Sequence, residues 1–288
     1  PEVREGGVGG MTLAVSSIED IRMYLTEIEE TEEEVALVQT GDEMRRVLNQ
    51  GRFPVVLCAN YQAVGTDLEV IPFLRHVGVR VLSLSGNRRN YLADGCAERN
   101  ASGLSHLGVA AVQELEEHRI LPDVSHLSER AFWDVVEYTN QPIVATHSNA
   151  RALCDSRRNL SDSQVEAIAE SGGLIGKSPH PTLVAEKDAS LHDLLEQIDY
   201  LVGKAGIEHV AIGTDFVGFM GALFDAAIAQ ADPGNTLYKE IGTSAGTQEI
   251  ASFSEVKNLM AGLVAHDYED NDLEKIGWKN LARVLDRS

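Results

Sequence analysis

Short apolar runs rich in β-branched residues alternate with longer amphipathic stretches along most of this chain. Parallel strands need a crossover connection between them, usually a helix, so this alternation is typical of βα units. Seven strands are predicted, at residues 10–15, 54–59, 80–84, 120–124, 143–145, 174–176 and 209–213. The sequence therefore predicts an α/β protein built on a parallel sheet.

Two architectures agree with this pattern, a closed barrel and an open doubly wound sheet. The barrel is favoured because no GxGxxG follows the first strand, and because the candidate site residues follow several different strands. A (β/α)8 barrel of the TIM type needs eight strands in about 250 residues. We therefore predict a single barrel domain over residues 1–288, with the first strand missing from this chain and located upstream of Pro1.

The last part of the chain has a different composition. Residues 219–252 are polar and rich in small side chains, which predicts a mobile insertion, either a lid or a surface excursion. Two helical patterns between residues 254 and 285 follow it. We predict that these C-terminal helices belong to the same domain.

Charge and cysteine content limit the partners and the location. The chain has 24 Lys and Arg against 45 Asp and Glu, a net charge of −21, which repels nucleic acid and anionic membranes. No apolar run is long enough to span a membrane, and no signal peptide is visible. Three distant cysteines without CxxC spacing fit a reducing compartment, so a cytoplasmic location is predicted.

Two histidines stand directly after predicted strands that are neighbours along the chain. His126 ends Asp123-Val124-Ser125-His126, and His147 follows Ala145-Thr146. A single histidine after a strand is more often a hydrogen-bonded core or loop residue. Two that come from the carboxyl ends of neighbouring parallel strands favour a metal site, because neutral imidazole is a good zinc ligand.

A carboxylate and an arginine pair accompany these histidines. Asp215 follows the last predicted strand and is a candidate metal ligand or proton acceptor, although Asp is also common as a helix cap or turn residue. Arg157 and Arg158 stand about ten residues after His147, where a guanidinium fork suits a substrate carboxylate. A surface arginine pair is the alternative interpretation.

The elements DVSH, THSNA and SRRN between Asp123 and Asn159, with their spacing, resemble the renal (membrane) dipeptidase family of zinc metallopeptidases. The resemblance runs from the element 4–10 to the element 280–284. It implies an amidohydrolase-like barrel, zinc as cofactor, a small peptide-like substrate and, since members are often dimers, a homodimer to test for. It also implies metal binding by His126 and His147, substrate carboxylate binding by Arg158, and proton transfer by Asp215.

Several family positions differ in this chain. The His-x-Asp pair of the family would lie upstream of Arg4, the bridging glutamate falls at Ala59, and the substrate-contacting histidine falls at Gly86. Asn60 is similar to the amide that some branches carry in place of the glutamate, and we assign it to substrate binding. Two dications without a bridging carboxylate repel each other, so one zinc ion is expected and two are the alternative.

These residues predict a metal-dependent hydrolase that cleaves the amide bond of a dipeptide or small N-acyl amino acid. The alternative is a non-catalytic barrel that binds a ligand or partner after partial loss of its metal site, which the residues at positions 59 and 86 favour. A third hypothesis is that the protein is an enzyme with a different reaction, the hydrolysis of a lactone or cyclic amide.

Overall fold

The computed structural model describes residues 2–216, 247 and 249–288. The chain packs as two compact units. The first unit contains 9–146, 166–174 and 278–288. The second unit contains the start of the chain up to Val8, residues 147–165 and the described part of 175–277. Whether the two form one domain, as predicted, stays a prediction.

The first unit is built on parallel strands. Its strands are β1 (Met11–Val15), β2 (Val35–Leu37), β3 (Phe53–Asn60), β4 (Val79–Ser83), β5 (Leu121–Asp123) and β6 (Val144–Ala145). Strand β3 pairs with β1, β2 and β4, and the pairing continues from β4 to β5 and from β5 to β6. Consecutive buried residues in β3, from Pro54 to Leu57, are typical of parallel strands that are covered on both faces.

Helices connect the strands of the first unit, and side chains cap most of their amino ends. They are α2 (Ile18–Glu30), α3 (Gly41–Asn49), α4 (Tyr61–Val64), α5 (Val70–His76), α6 (His106–Glu117), α7 (Glu129–Tyr138) and, at the end of the chain, α13 (Asn280–Arg287). The hydroxyls of Ser17, Thr40, Ser105 and Ser128 accept backbone N–H bonds at four of these starts. Each such cap supplies a partner to an N–H group that the helix leaves unpaired.

The second unit contains the short helix α1 (Glu2–Glu5) and the last two strands, β7 (Leu174–Lys177) and β8 (Val210–Ile212). Only the first residue of β7, Leu174, belongs to the first unit. Strands β7 and β8 pair in parallel, with Lys177 opposite Ile212. The remaining helices are α8 (Asp162–Glu170, divided between the units), α9 (Pro181–Val184), α10 (Leu191–Ala205), α11 (Val256–Ala265) and α12 (Asp270–Glu274). Helix α10 packs on α11, and Gly262 permits this approach because a Cβ there would meet Leu195 at 2.8 Å.

All seven predicted strands are present, with ends within about one residue of the predicted ones. The count of seven was wrong, because the structure has an eighth strand, β2, that the pattern did not reveal. Strand β2 has three residues and directly follows an exposed acidic turn, so it carries too little periodicity to be recognised. A further strand upstream of Pro1 stays a prediction.

The C-terminal helices are present as predicted, with an additional short helix between them. The predicted insertion at 219–252 lies outside the described residues, apart from Thr247 and residues 249–252. Within the described part of the chain, no helix has the length and apolar character that a membrane crossing requires.

Candidate functional site

Asp123 organises the carboxyl ends of β5 and β6 in the first unit. It is 3% exposed, and its Oδ1 accepts the Ser125 N–H at 3.0 Å, the Ser125 Oγ–H at 2.6 Å and the Thr146 N–H at 3.0 Å. Its Oδ2 accepts the Thr146 hydroxyl at 2.7 Å. These four bonds fix the residues that immediately precede His126 and His147 in sequence. Asp123 therefore positions the two histidine-bearing segments where they leave the strands.

Replacing Asp123 by alanine should destabilise the protein strongly. The change leaves four donors of the buried Ser125 and the half-buried Thr146 without this acceptor, which costs about 3 kcal/mol or more. Thermal unfolding should show a fall in Tm of roughly 6–12 °C. Asp67→Ala is the matched control, because Asp67 is exposed and its Oδ1 accepts one backbone bond, from Glu69. Equal Tm values for the two variants would contradict this role of Asp123.

His126 is oriented by a buried amide. Its Nδ1 lies 2.8 Å from Asn87 Oδ1, which also accepts from the Cys96 thiol at 3.4 Å, and Asn87 is 4% exposed. Since the amide oxygen can only accept, Nδ1 donates the proton of this bond, and in the neutral ring the lone pair is then on Nε2. This is the tautomer that a histidine needs in order to bind a metal through Nε2.

Asn60 ends β3, and both groups of its side-chain amide take part in local structure. Its Oδ1 accepts the Gln62 N–H at 2.9 Å and caps α4, while its Nδ2 donates to Ser16 Oγ at 2.8 Å. The neighbouring Ala59 is 2% exposed and paired between Val15 and Leu82. The end of β3 therefore presents a small apolar side chain followed by an engaged amide, and substrate binding by Asn60 stays a prediction.

The second unit brings together three of the predicted site residues. His147 Nε2 lies 3.9 Å from Asp215 Oδ2, and Arg158 Nη2 donates to the backbone oxygen of His147 at 3.1 Å. Arg158 is only 4% exposed, so the surface-pair interpretation is wrong for this residue. The Asp215 side chain is 44% exposed, which leaves its carboxylate accessible to water.

Asp215 has a left-handed backbone conformation, with φ of +51°. Only Gly, Asn and Asp adopt this region readily, so the residue type is restricted by the backbone as well as by the chemistry. This conformation follows the end of β8, and the Asp215 carboxylate lies beside His147.

Lys177 and Asn149 connect the segments that carry His147 and Asp215. Ser178 and Asn149 exchange two hydrogen bonds of 2.9 and 3.0 Å, and Lys177 Nζ donates to the same Ser178 oxygen at 2.6 Å. The Lys177 backbone oxygen accepts the Gly213 N–H at 2.9 Å, two residues before Asp215. Burial lowers the pKa of Lys177 well below its usual value. These hydrogen bonds fix the distance between the segments that carry His147 and Asp215.

Zinc fits the donors of this pair. An imidazole nitrogen and a carboxylate oxygen are ligands that zinc accepts, and 3.9 Å is within the span of two bonds of about 2.0–2.2 Å each. The described residues contain no group of three or more His, Cys, Asp or Glu side chains arranged to hold a metal. A zinc ion at this pair would therefore need ligands from elsewhere in addition.

The predicted site residues are divided between the two units. His147, Arg158 and Asp215 belong to the second unit, whereas His126 and Asn60 belong to the first. The assignment of His126 to the same metal as His147 stays a prediction. Sequence reasoning missed three positioning residues: Asp123, Asn87 and Lys177. The one available signal was the place of Asp123 and Lys177 at the ends of strands.

The fold and these motifs define a metallopeptidase-like barrel. The chain belongs to the membrane dipeptidase family, peptidase family M19, which matches residues 10–226. It is 35% identical over 188 residues to an uncharacterized protein in the pqqA 5′ region of Klebsiella pneumoniae, covering 64% of this chain and 60% of that protein. It is 33% identical over 160 residues to dipeptidase aclJ of Aspergillus oryzae, covering 54% of this chain and 38% of that protein.

The fold agrees with a crystal structure of an amidohydrolase from Pseudomonas aeruginosa at a TM-score of 0.91 and 23% identity, covering 99% of this chain and 90% of that one. This confirms the predicted fold class, an amidohydrolase-like α/β barrel. The chain spans less than two thirds of the length of the two curated relatives above.

Proposed function

We propose that this protein is a metal-dependent hydrolase that cleaves the amide bond of a dipeptide or a small N-acyl amino acid. The observation that carries the proposal is the pair of His147 and Asp215, 3.9 Å apart in a chain of the membrane dipeptidase family. Zinc is the metal that this family uses, and bound zinc polarises a carbonyl and activates water.

Within this proposal each of the three site residues of the second unit has one role. His147 supplies an imidazole ligand, and the Asp215 carboxylate accepts the proton of the attacking water and passes it to the leaving amine nitrogen. Arg158 binds the substrate carboxylate through its guanidinium, which has five N–H donors in a planar fork. The buried position of Arg158 against the His147 backbone supports this role, because it holds the guanidinium close to the proposed metal ligand.

Metal removal tests the proposal directly. The protein is stripped with dipicolinate, reloaded with zinc, and assayed on dipeptides, N-acyl amino acids and lactones. We expect hydrolysis of the first or second class, a loss of at least about 100-fold on stripping, and recovery with zinc. Hydrolysis of lactones alone would replace the proposed reaction by lactone opening.

A non-catalytic barrel is the second candidate, and the buried Ala59 favours it. A residue that is 2% exposed and paired on both sides leaves no carboxylate at the position where the family resemblance puts the bridging glutamate. Absence of turnover on all three substrate classes, in protein that has been shown to contain zinc, would support this candidate and contradict the hydrolase.

A further inference from the structure

Three arginines meet at the amino-terminal edge of the sheet in the first unit. Arg80 is the second residue of β4, Arg75 lies on α5, which leads into β4, and Arg119 stands just before β5. The parallel register pairs Val81 with Leu121, which places residue 80 beside 120 and next to Arg119. The edge they occupy is opposite to the carboxyl ends that carry Asp123 and His126.

Arg80 is buried without a full set of partners. It is 1% exposed, and its Nη2 donates to Ser288 Oγ at 2.6 Å. Its Nε and Nη1 are buried and have no hydrogen-bond partner within the described residues. Buried N–H groups of a cation are destabilising when they have no acceptor, and the described residues do not supply one here.

The charged groups around Arg80 increase its need for an anionic partner. Burial, together with repulsion by Arg75 and by Arg119, lowers the pKa of Arg80 to about 10. The attraction of Glu43 is weaker than either repulsion, and Glu43 Oε2 already accepts the Gln39 N–H at 2.7 Å. A cluster of three cations with one weakly acting carboxylate stands out in a chain whose net charge is −21.

We propose that Arg75, Arg80 and Arg119 form a binding site for a multiply charged oxyanion such as phosphate. Guanidinium groups bind such anions through parallel, charge-assisted hydrogen bonds. Arg119 is exposed, Arg75 is half-buried and Arg80 is buried, so at least one cation of the cluster is accessible to an anion from solvent. The Ser288 hydroxyl already occupies the place of one anion oxygen on Nη2. The proposed site is independent of the proposed hydrolase activity.

Calorimetric titration with sulfate tests the site, because sulfate is a tetrahedral dianion and a poor zinc ligand. At pH 7 and constant ionic strength we expect saturable binding of sulfate and of phosphate to the full chain, and none of acetate at the same concentrations. Bound anion should raise the Tm in parallel. Arg119→Met should weaken sulfate binding on the order of tenfold, the equivalent of one charge-assisted hydrogen bond. Arg80→Met should abolish it.

The controls separate this site from other anion sites. Arg99→Met removes the same charge from an exposed loop position and should bind sulfate like the wild type. His147→Ala should also leave sulfate binding unchanged. Because Arg119 is exposed, Arg119→Met should fold normally, and it therefore tests the proposed anion site even if Arg80→Met fails to fold. No saturable binding, equal affinities of the Arg119 and Arg99 variants, binding of acetate as tight as that of sulfate, or loss of binding in His147→Ala would each overturn the proposal.

Discussion

His147→Ala is expected to abolish bound metal and hydrolysis together. The substitution removes the imidazole that lies 3.9 Å from Asp215, and alanine offers no replacement donor. Changing a residue that only hydrogen-bonds to a metal ligand typically weakens metal binding roughly 10–100-fold. Loss of the ligand itself should weaken zinc binding by more than this. We expect zinc content, measured by elemental mass spectrometry, to fall to background and turnover to fall below detection.

The control for this variant is His192→Ala. His192 is an exposed residue of α10 in the same unit, so the chemical change is the same and the candidate site is untouched. A Tm of His147→Ala close to that of the control would show that the fold survives. Normal turnover by His147→Ala would exclude it as a metal ligand and end the assignment of the hydrolytic site.

Asp215→Asn is expected to lower kcat by about 10²- to 10⁴-fold while zinc content stays at the wild-type level. Asparagine has the same shape and tolerates the left-handed conformation at φ of +51°, so the backbone at this position should not change. The amide cannot take the proton from the attacking water. Because substrate binding is assigned to Arg158, KM should change little.

Asp188→Asn is the matched control for this variant. Asp188 is exposed, belongs to the second unit and has a left-handed backbone at φ of +47°, so the substitution tests the same charge and backbone change away from the site. A joint loss of zinc and activity in Asp215→Asn would make Asp215 a ligand instead of a proton acceptor. Full activity would remove it from the mechanism.

The two predictions together distinguish the candidate functions. A hydrolase in which Asp215 is the proton acceptor requires that both variants fail in turnover and that only His147→Ala loses zinc. A non-catalytic relative would show zinc binding that depends on His147 without turnover in any variant. The sulfate experiment is independent of both outcomes, because its arginines belong to the first unit, whereas His147 and Asp215 belong to the second.

Local sequence pattern was sufficient for most of the fold. Continuous apolar runs such as 54–57 can only be buried strands in this context, and the hydroxyl caps of the helices are visible as Ser and Thr before amphipathic stretches. Strand β2 was not predictable, because its three residues form a strand only when β3 supplies the partner groups. Periodicity needs length, and β2 has too little of it.

The candidate site was predictable by residue type and position, since His126, His147 and Asp215 follow strands and Arg158 follows His147 closely. What the sequence by itself determined is this set of chemical groups and the edge of the sheet from which they come. Only the tertiary structure decided that Arg158 is buried against His147 and that Asp215 has a left-handed backbone conformation. The same holds for the hydrogen bonds by which Asp123 and Lys177 fix the flanking segments. The arginine cluster around Arg80 could not be predicted either, because its members come from separate elements and only packing brings their charges close together. Burial and hydrogen bonding between distant segments depend on packing, and no local pattern encodes them.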